Sequence, residues 1–143
     1  MIDVSDKKVV GRTAEAQGHL KLKEATIEAI KASEIKKGDP FKTAEAAALT
    51  GIKTTFMQIP HCHPIPITGA EVSFEIKDTD VICKCKVGAD YKTGVEMEAL
   101  VGVTTALLTV WDMVKYLEKD EAGQYPFTVI NEVRVIKKQK EEV

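Results

Sequence analysis

Between Arg12 and Leu22 the side chains alternate, with Ala14, Ala16, Gly18, Leu20 and Leu22 facing one way and Glu15, Gln17, His19 and Lys21 the other. A period of two is that of a strand buried on one side. At Glu24 the spacing changes: Ile27 and Ile30, with Ala25, Ala29 and Ala32, recur at helical intervals and predict a helix from Glu24 to Lys36 that ends at Gly38. A second helix begins at once. Asp39 can cap its free amides, Pro40 suits the first helical position, and the run Ala44 to Ala48 favours helix and permits close packing.

Alternation returns with Val72, Phe74 and Ile76 set against Ser73, Glu75 and Lys77. Asp78-Thr79-Asp80 then reverses the chain into Val81, Cys83, Cys85 and Val87, alternating with Ile82, Lys84 and Lys86, which predicts a hairpin. A long helix is expected from Gly94 to Lys119 and a last strand from Phe127 to Ile136, with Val129, Val133 and Val135 on one face. The tail from Lys137 to Val143 is expected to fray into solvent. This order of elements predicts an α+β, ferredoxin-like antiparallel sheet with helices on one face and one extra helix. No repeat, low-complexity tract or linker interrupts it, so residues 1–143 are expected to form one domain.

With 143 residues, 44% of them hydrophobic, the chain can bury one core. A net charge of −2 exerts no general pull on nucleic acid or anionic membrane, so neither is expected as a partner, and a bound anion must be met by local lysines. No apolar run approaches the roughly 20 residues of a membrane span. The amino terminus lacks the basic-then-apolar order of a signal peptide. Three cysteines without zinc spacing agree with a cytoplasmic protein in which Cys83 and Cys85 are small core residues. His19, Lys84 and Lys86 are expected at the surface, and Trp111 as an anchor in the core or an interface.

Between Val95 and Leu117 the only charged residues are Glu96, Glu98, Asp112 and Lys115, and apolar side chains cover nearly the whole circumference. A sheet covers one stripe of such a helix, which leaves further apolar surface for a second subunit. The charges matter more. Pro60-His61-Cys62-His63-Pro64 holds a thiol between two imidazoles, and Lys92-Thr93-Gly94-Val95-Glu96-Met97-Glu98 opens the apolar helix with two carboxylates. Such groups cost desolvation wherever they are partly buried, so two dense runs suggest a site. Glu98 and Asp112 share nearly the same helix face but stand about 21 Å apart along the axis, so they cannot serve one small reacting centre. If both act, the ligand is long or a neighbouring chain completes the site. Asp112 and Lys115, three residues apart, can pair.

Lys37-Gly38-Asp39, Ile59 to Pro64, Lys92 to Ala99 and Trp111-Asp112-Met113-Val114-Lys115, in this order and spacing, resemble the cyclic pyranopterin monophosphate synthase family of molybdenum-cofactor biosynthesis. Ile2-Asp3-Val4-Ser5 and Arg12 to Ala16 fit it as well. The resemblance implies a ferredoxin-like subunit in a hexamer, a trimer of dimers, with the active site between subunits. It also implies conversion of a cyclised dihydro-GTP into cyclic pyranopterin monophosphate and pyrophosphate, with no cofactor. Carried over, it points to Arg12, Lys37, His61, Cys62, His63, Lys92, Glu96, Met97, Glu98, Asp112 and Lys115.

Within that set, Asp112 beside a buried Lys115 ammonium is assigned the acid/base work, and Lys37 and Lys92 the phosphates. His63 and Glu98 are assigned to orient the base or ribose. Many members carry leucine in place of His61, which makes His63 the histidine expected to act. The glycine- and lysine-rich end common in the family is replaced here by Asn131 to Lys138. Two other classes stay open: a metal-dependent hydrolase using His61, Cys62 and His63 with Glu96 or Glu98, and a non-catalytic oligomeric nucleotide-binding module.

Overall fold

A computed structural model describes residues 1–142. Strand β1 (Val10–Lys21) is followed by helices α1 (Glu24–Lys31), α2 (Pro40–Lys53) and the short α3 (Thr55–Gln58). Strands β2 (Ile67–Lys77) and β3 (Asp80–Tyr91), helix α4 (Glu96–Glu118) and strand β4 (Val129–Glu141) complete the chain. The four strands form one antiparallel sheet in the order β2-β3-β1-β4. This is the α+β, ferredoxin-like architecture expected, with α2 beyond the basic helix pair and the short α3 in addition. Ala14, Ala16 and Leu20 of β1 and Val81, Cys83, Cys85 and Val87 of β3 supply the sheet's half of the core, and Lys84 and Lys86 point outward.

Local chemistry explains the helix ends. Asp39 caps α2 as expected, its carboxylate accepting from the amides of Phe41 at 2.9 Å and Lys42 at 3.2 Å. The first helix is shorter than its periodicity suggests. Ser33 adopts φ 57° and its amide donates to the Ile30 carbonyl, while the Glu34 amide reaches the Ala29 carbonyl, a paired closure that ends α1 after Lys31. Ile35 then turns back into the core. The hairpin between β2 and β3 turns at Asp78, also left-handed, as the turn residues predict.

As far as Glu141 the tail does not fray, and Val143 lies outside the described residues. Lys137 to Glu141 continue β4 and pair with Glu15 to Gly11 of β1. Register shifts against β1, including one that leaves Ile136 unpaired, break the alternation from which a strand is read, and the extension is held by backbone pairing. His19 is another correction. It is half-buried, and its Nδ1 lies 2.9 Å from the Asp80 carboxylate across the β1–β3 ladder.

Helix α4 packs across β1 and β3 on one side and along α2 on another. Small residues set the distance: a Cβ on Gly18 would come within 2.7 Å of Val103 Cγ1, and one on Gly102 within 2.8 Å of Ile52 Cγ1. The stripe of α4 that faces α2 is therefore covered within the same chain, and Met97, Leu108 and Tyr116 remain exposed on the helix. Among the described residues α4 has the length and apolar composition of a membrane span, contrary to the sequence expectation; half of its most apolar stretch is buried inside this fold.

Its carboxyl end is fixed by a residue the sequence reading passed over. Glu118 is fully buried and accepts from the Lys23 amide at 3.1 Å, from the Thr26 hydroxyl, and from the Thr128 hydroxyl at 2.6 Å. Lys23 is the N-cap position of α1 and has no side-chain cap of its own, so a carboxylate from the far end of the chain stabilises the positive end of that helix. One side chain thus ties α4 to α1 and to the start of β4. Glu118→Ala should lower unfolding free energy by about 2–3 kcal/mol, because buried donors lose their acceptor. Urea denaturation measures this, and a loss below about 0.5 kcal/mol would contradict the role.

Candidate active site

The sequence-selected residues gather at the two ends of α4. At its amino end a cleft of about 660 Å³ is lined by His61, Cys62, His63, Thr93, Met97 and Glu98, together with Met1, Ile2 and Val4 of the amino terminus. The segment after α3 reaches it through a turn in which the Cys62 amide donates to the Ile59 carbonyl at 3.0 Å. The amino-terminal residues lie across the cleft. His63 Nε2 is 2.8 Å from the Ile2 carbonyl oxygen, and Lys92 Nζ donates to the Ser5 carbonyl at 3.0 Å. Ile2 to Ser5 fits the family resemblance, yet no role was assigned to it. Nothing in side-chain periodicity marks contacts made through carbonyl oxygens.

Two neighbouring carboxylates here have opposite electrostatics. Glu98 is only 3% exposed, and burial pushes its carboxyl above the usual glutamate value, with the Glu96 charge adding to the effect. Burial acts on Glu96 in the same sense, but its ion pair with Lys138 and the nearby Arg12 guanidinium hold it below that value. Arg12 donates to the Lys92 carbonyl at 3.3 Å. Lys138, at the carboxyl end in question, belongs to this group; the extension of β4 along β1 brings it there. Burial, then the Glu98 charge, push the Cys62 thiol up, which keeps it protonated at neutral pH and unsuited to act as a thiolate.

At the carboxyl end of α4, Asp112 receives Lys115 Nζ at 3.1 Å from the next turn and Lys37 Nζ at 3.1 Å from the loop before α2. Lys37 also donates to the Asp112 carbonyl at 3.3 Å. The Asp112–Lys115 pair is as the spacing predicts, whereas the third member comes from 75 residues away. In the single chain the Lys115 side chain is 42% exposed and that of Asp112 56%. Beside Lys37, the Asp39 carboxylate occupies the first amides of α2. Hydrogen bonds from Lys115 and Lys37 hold the Asp112 carboxyl below the ordinary aspartate value. Trp111, next in sequence, packs edge-on to Tyr125 and against the core, as an anchor should.

The chain does not bring the two clusters together. They stay about four helical turns apart. Among the described residues no group of three or more His, Cys, Asp or Glu side chains is arranged to hold a metal ion, so the hydrolase alternative gains no support.

The raised carboxyl of Glu98 makes a signed prediction. A folded-state value above the unfolded one means that stability is fully present below the unfolded value and is lost as pH rises through the folded one. Glu98→Gln should therefore raise the thermal midpoint at pH 7, and the gain should vanish below about pH 4, where the glutamate is protonated in both states. Paired melts at the two pH values check this. A Gln variant less stable than the parent at pH 7 would contradict it.

Residues 1–141 match the MoaC family. A protein of Methanothermobacter thermautotrophicus named probable cyclic pyranopterin monophosphate synthase accessory protein is 52% identical over 143 residues, covering 100% of this chain and 90% of its own length. A probable cyclic pyranopterin monophosphate synthase of Thermococcus onnurineus is 54% identical over 142 residues, 99% of this chain and 91% of that protein. One of Thermoplasma acidophilum is 46% identical over 140 residues, 98% of each. With the family matched from the amino-terminal cleft segment through the last strand, the chain belongs to the MoaC family.

Proposed function

We propose that this protein is a cyclic pyranopterin monophosphate synthase of molybdenum-cofactor biosynthesis, a cytoplasmic lyase whose whole chain forms one catalytic domain. It converts 3',8-cyclo-7,8-dihydroguanosine 5'-triphosphate into cyclic pyranopterin monophosphate and pyrophosphate. The observation that carries this reading, within the family match, is Asp112 held between Lys37 and Lys115. Closing the cyclic phosphate requires a substrate hydroxyl to lose its proton as it attacks the α-phosphorus, while pyrophosphate leaves with added negative charge. A carboxylate kept ionised by two ammonium groups can accept that proton. The ammonium groups are placed to donate protons and to stabilise the departing charge.

The cleft at the other end of α4 supplies recognition. His63, Glu98 and Met97 bind the base and ribose, Cys62 and His61 complete the wall, and Lys92, whose carbonyl accepts from Arg12, contacts the phosphates with Arg12 and Glu96 nearby. The separation of the two clusters and the exposure of Asp112 support a site assembled from two protomers, in a hexamer built as a trimer of dimers.

Asp112→Ala and Lys115→Ala should each lower pyrophosphate release at least about 100-fold, the contribution of a positioned acid or base. Circular dichroism should be unchanged, because both side chains are exposed in the single chain and carry none of its core. Near-normal turnover in either variant would refute the assignment, and recovery of unchanged nucleotide from the wild type would favour a non-catalytic binding module.

A further inference from the structure

The loop that carries Lys37 has little holding it locally. After α1 closes at Ser33, the chain is anchored by buried Ile35 and passes through a turn in which the Gly38 amide donates to the Ile35 carbonyl at 3.1 Å, with Gly38 at φ +111°. Lys36 and Lys37 are both exposed. Side-chain entropy would spread a lysine on such a turn over many positions. Its Nζ nevertheless meets both the carboxylate and the carbonyl of Asp112.

The fixing contact lies one turn further along α4. The Lys36 amide donates to the Tyr116 hydroxyl at 3.0 Å, and Lys36 Nζ sits 5.2 Å from the centre of the same ring. Asp112 and Tyr116 are four residues apart, hence on one face of the helix. Two successive loop residues thus meet two successive turns of α4, Lys36 at Tyr116 and Lys37 at Asp112.

We propose that Tyr116 is a positioning residue that holds the Lys36–Lys37 segment against α4 and so keeps Lys37 on Asp112. The inference rests on the reading of Asp112 as the catalytic carboxylate for its consequence in turnover, but not for the contact itself. The Tyr116 hydroxyl bonds the Lys36 amide and not the Asp112 carboxylate, so it acts through the backbone of Lys36. Its ring is at the surface, so its loss should leave the core intact. The charged groups facing Asp112 are Lys37 from the loop and Lys115 from its own helix, and release of the first leaves only the second.

The test uses the full-length oligomer with Tyr116→Phe, which removes the hydroxyl alone, Lys37→Ala and the double variant. Tyr116→Phe should lower kcat for pyrophosphate release by about two- to tenfold, the range set by one hydrogen bond, with an unchanged circular-dichroism spectrum. In the Lys37→Ala background the same substitution should have no further effect. Carbon-13 titration of the Asp112 carboxyl in free enzyme supplies a readout independent of turnover, and its midpoint should rise in Tyr116→Phe as Lys37 leaves. A wild-type midpoint in Tyr116→Phe would overturn the proposal, even if activity fell and even if Lys37→Ala were inactive. A loss of equal size in both backgrounds would overturn it as well. If instead Asp112→Ala turned over normally while the midpoint shifted, the catalytic reading would fail and the positioning contact would stand.

Discussion

The seating of α4 governs where chemistry can occur in this protein. From Ala99 to Val110 the helix is committed to the sheet on one side and to α2 on another, at distances that leave no room for a Cβ at Gly18 or Gly102. A charge at the buried positions of that stretch would lie among apolar groups, at a cost no neighbour offsets. The charged groups of α4 stand at its ends, where Glu96 and Glu98 begin the helix and Asp112, Lys115 and Glu118 finish it. The buried Glu118 fixes the rod's terminal turn to α1, and with it the side of the molecule from which Lys37 approaches.

The two ends differ electrostatically in a way that suits different tasks. At the amino end a buried carboxyl pushed upward stands two residues from a carboxylate stabilised by cations. The two environments push the neighbouring carboxyl groups in opposite directions, which suits them to different roles. At the carboxyl end a single carboxylate lies between two ammonium groups in an open position. An open position has weak Coulombic interactions, and closing it with a ligand or another protomer strengthens them by excluding water. The same groups in a closed site would act with greater force than they do on the free surface.

Much of this was legible in the sequence where the information is local. Asp39-Pro40 marks a helix start, Asp78-Thr79-Asp80 a turn, and Asp112 with Lys115 a pair, because each depends on neighbours within four residues. The dense runs around His61 and Glu98 likewise locate the amino-terminal cleft. What could not be read was set by long-range contact. Lys37 meets Asp112, Glu118 meets Thr26, and the Ile2 carbonyl meets His63 only after the sheet has formed. The extension of β4 was hidden for a related reason: Lys137 to Glu141 carry no alternation, and their strand exists because β1 offers a backbone to pair with. The cover that α2 gives to one side of α4 was likewise not readable, because it depends on contacts between elements distant in sequence.

The central claim is that one active site takes its binding cleft from one protomer and its Asp112 cluster from another. Subunit complementation tests it most directly. His63→Ala and Asp112→Ala proteins, each inactive alone, are mixed, dissociated and reassembled, and pyrophosphate release is measured. If sites are shared, random reassembly restores about a quarter of them with both intact ends. Mixed oligomers with no more activity than either parent would contradict the account.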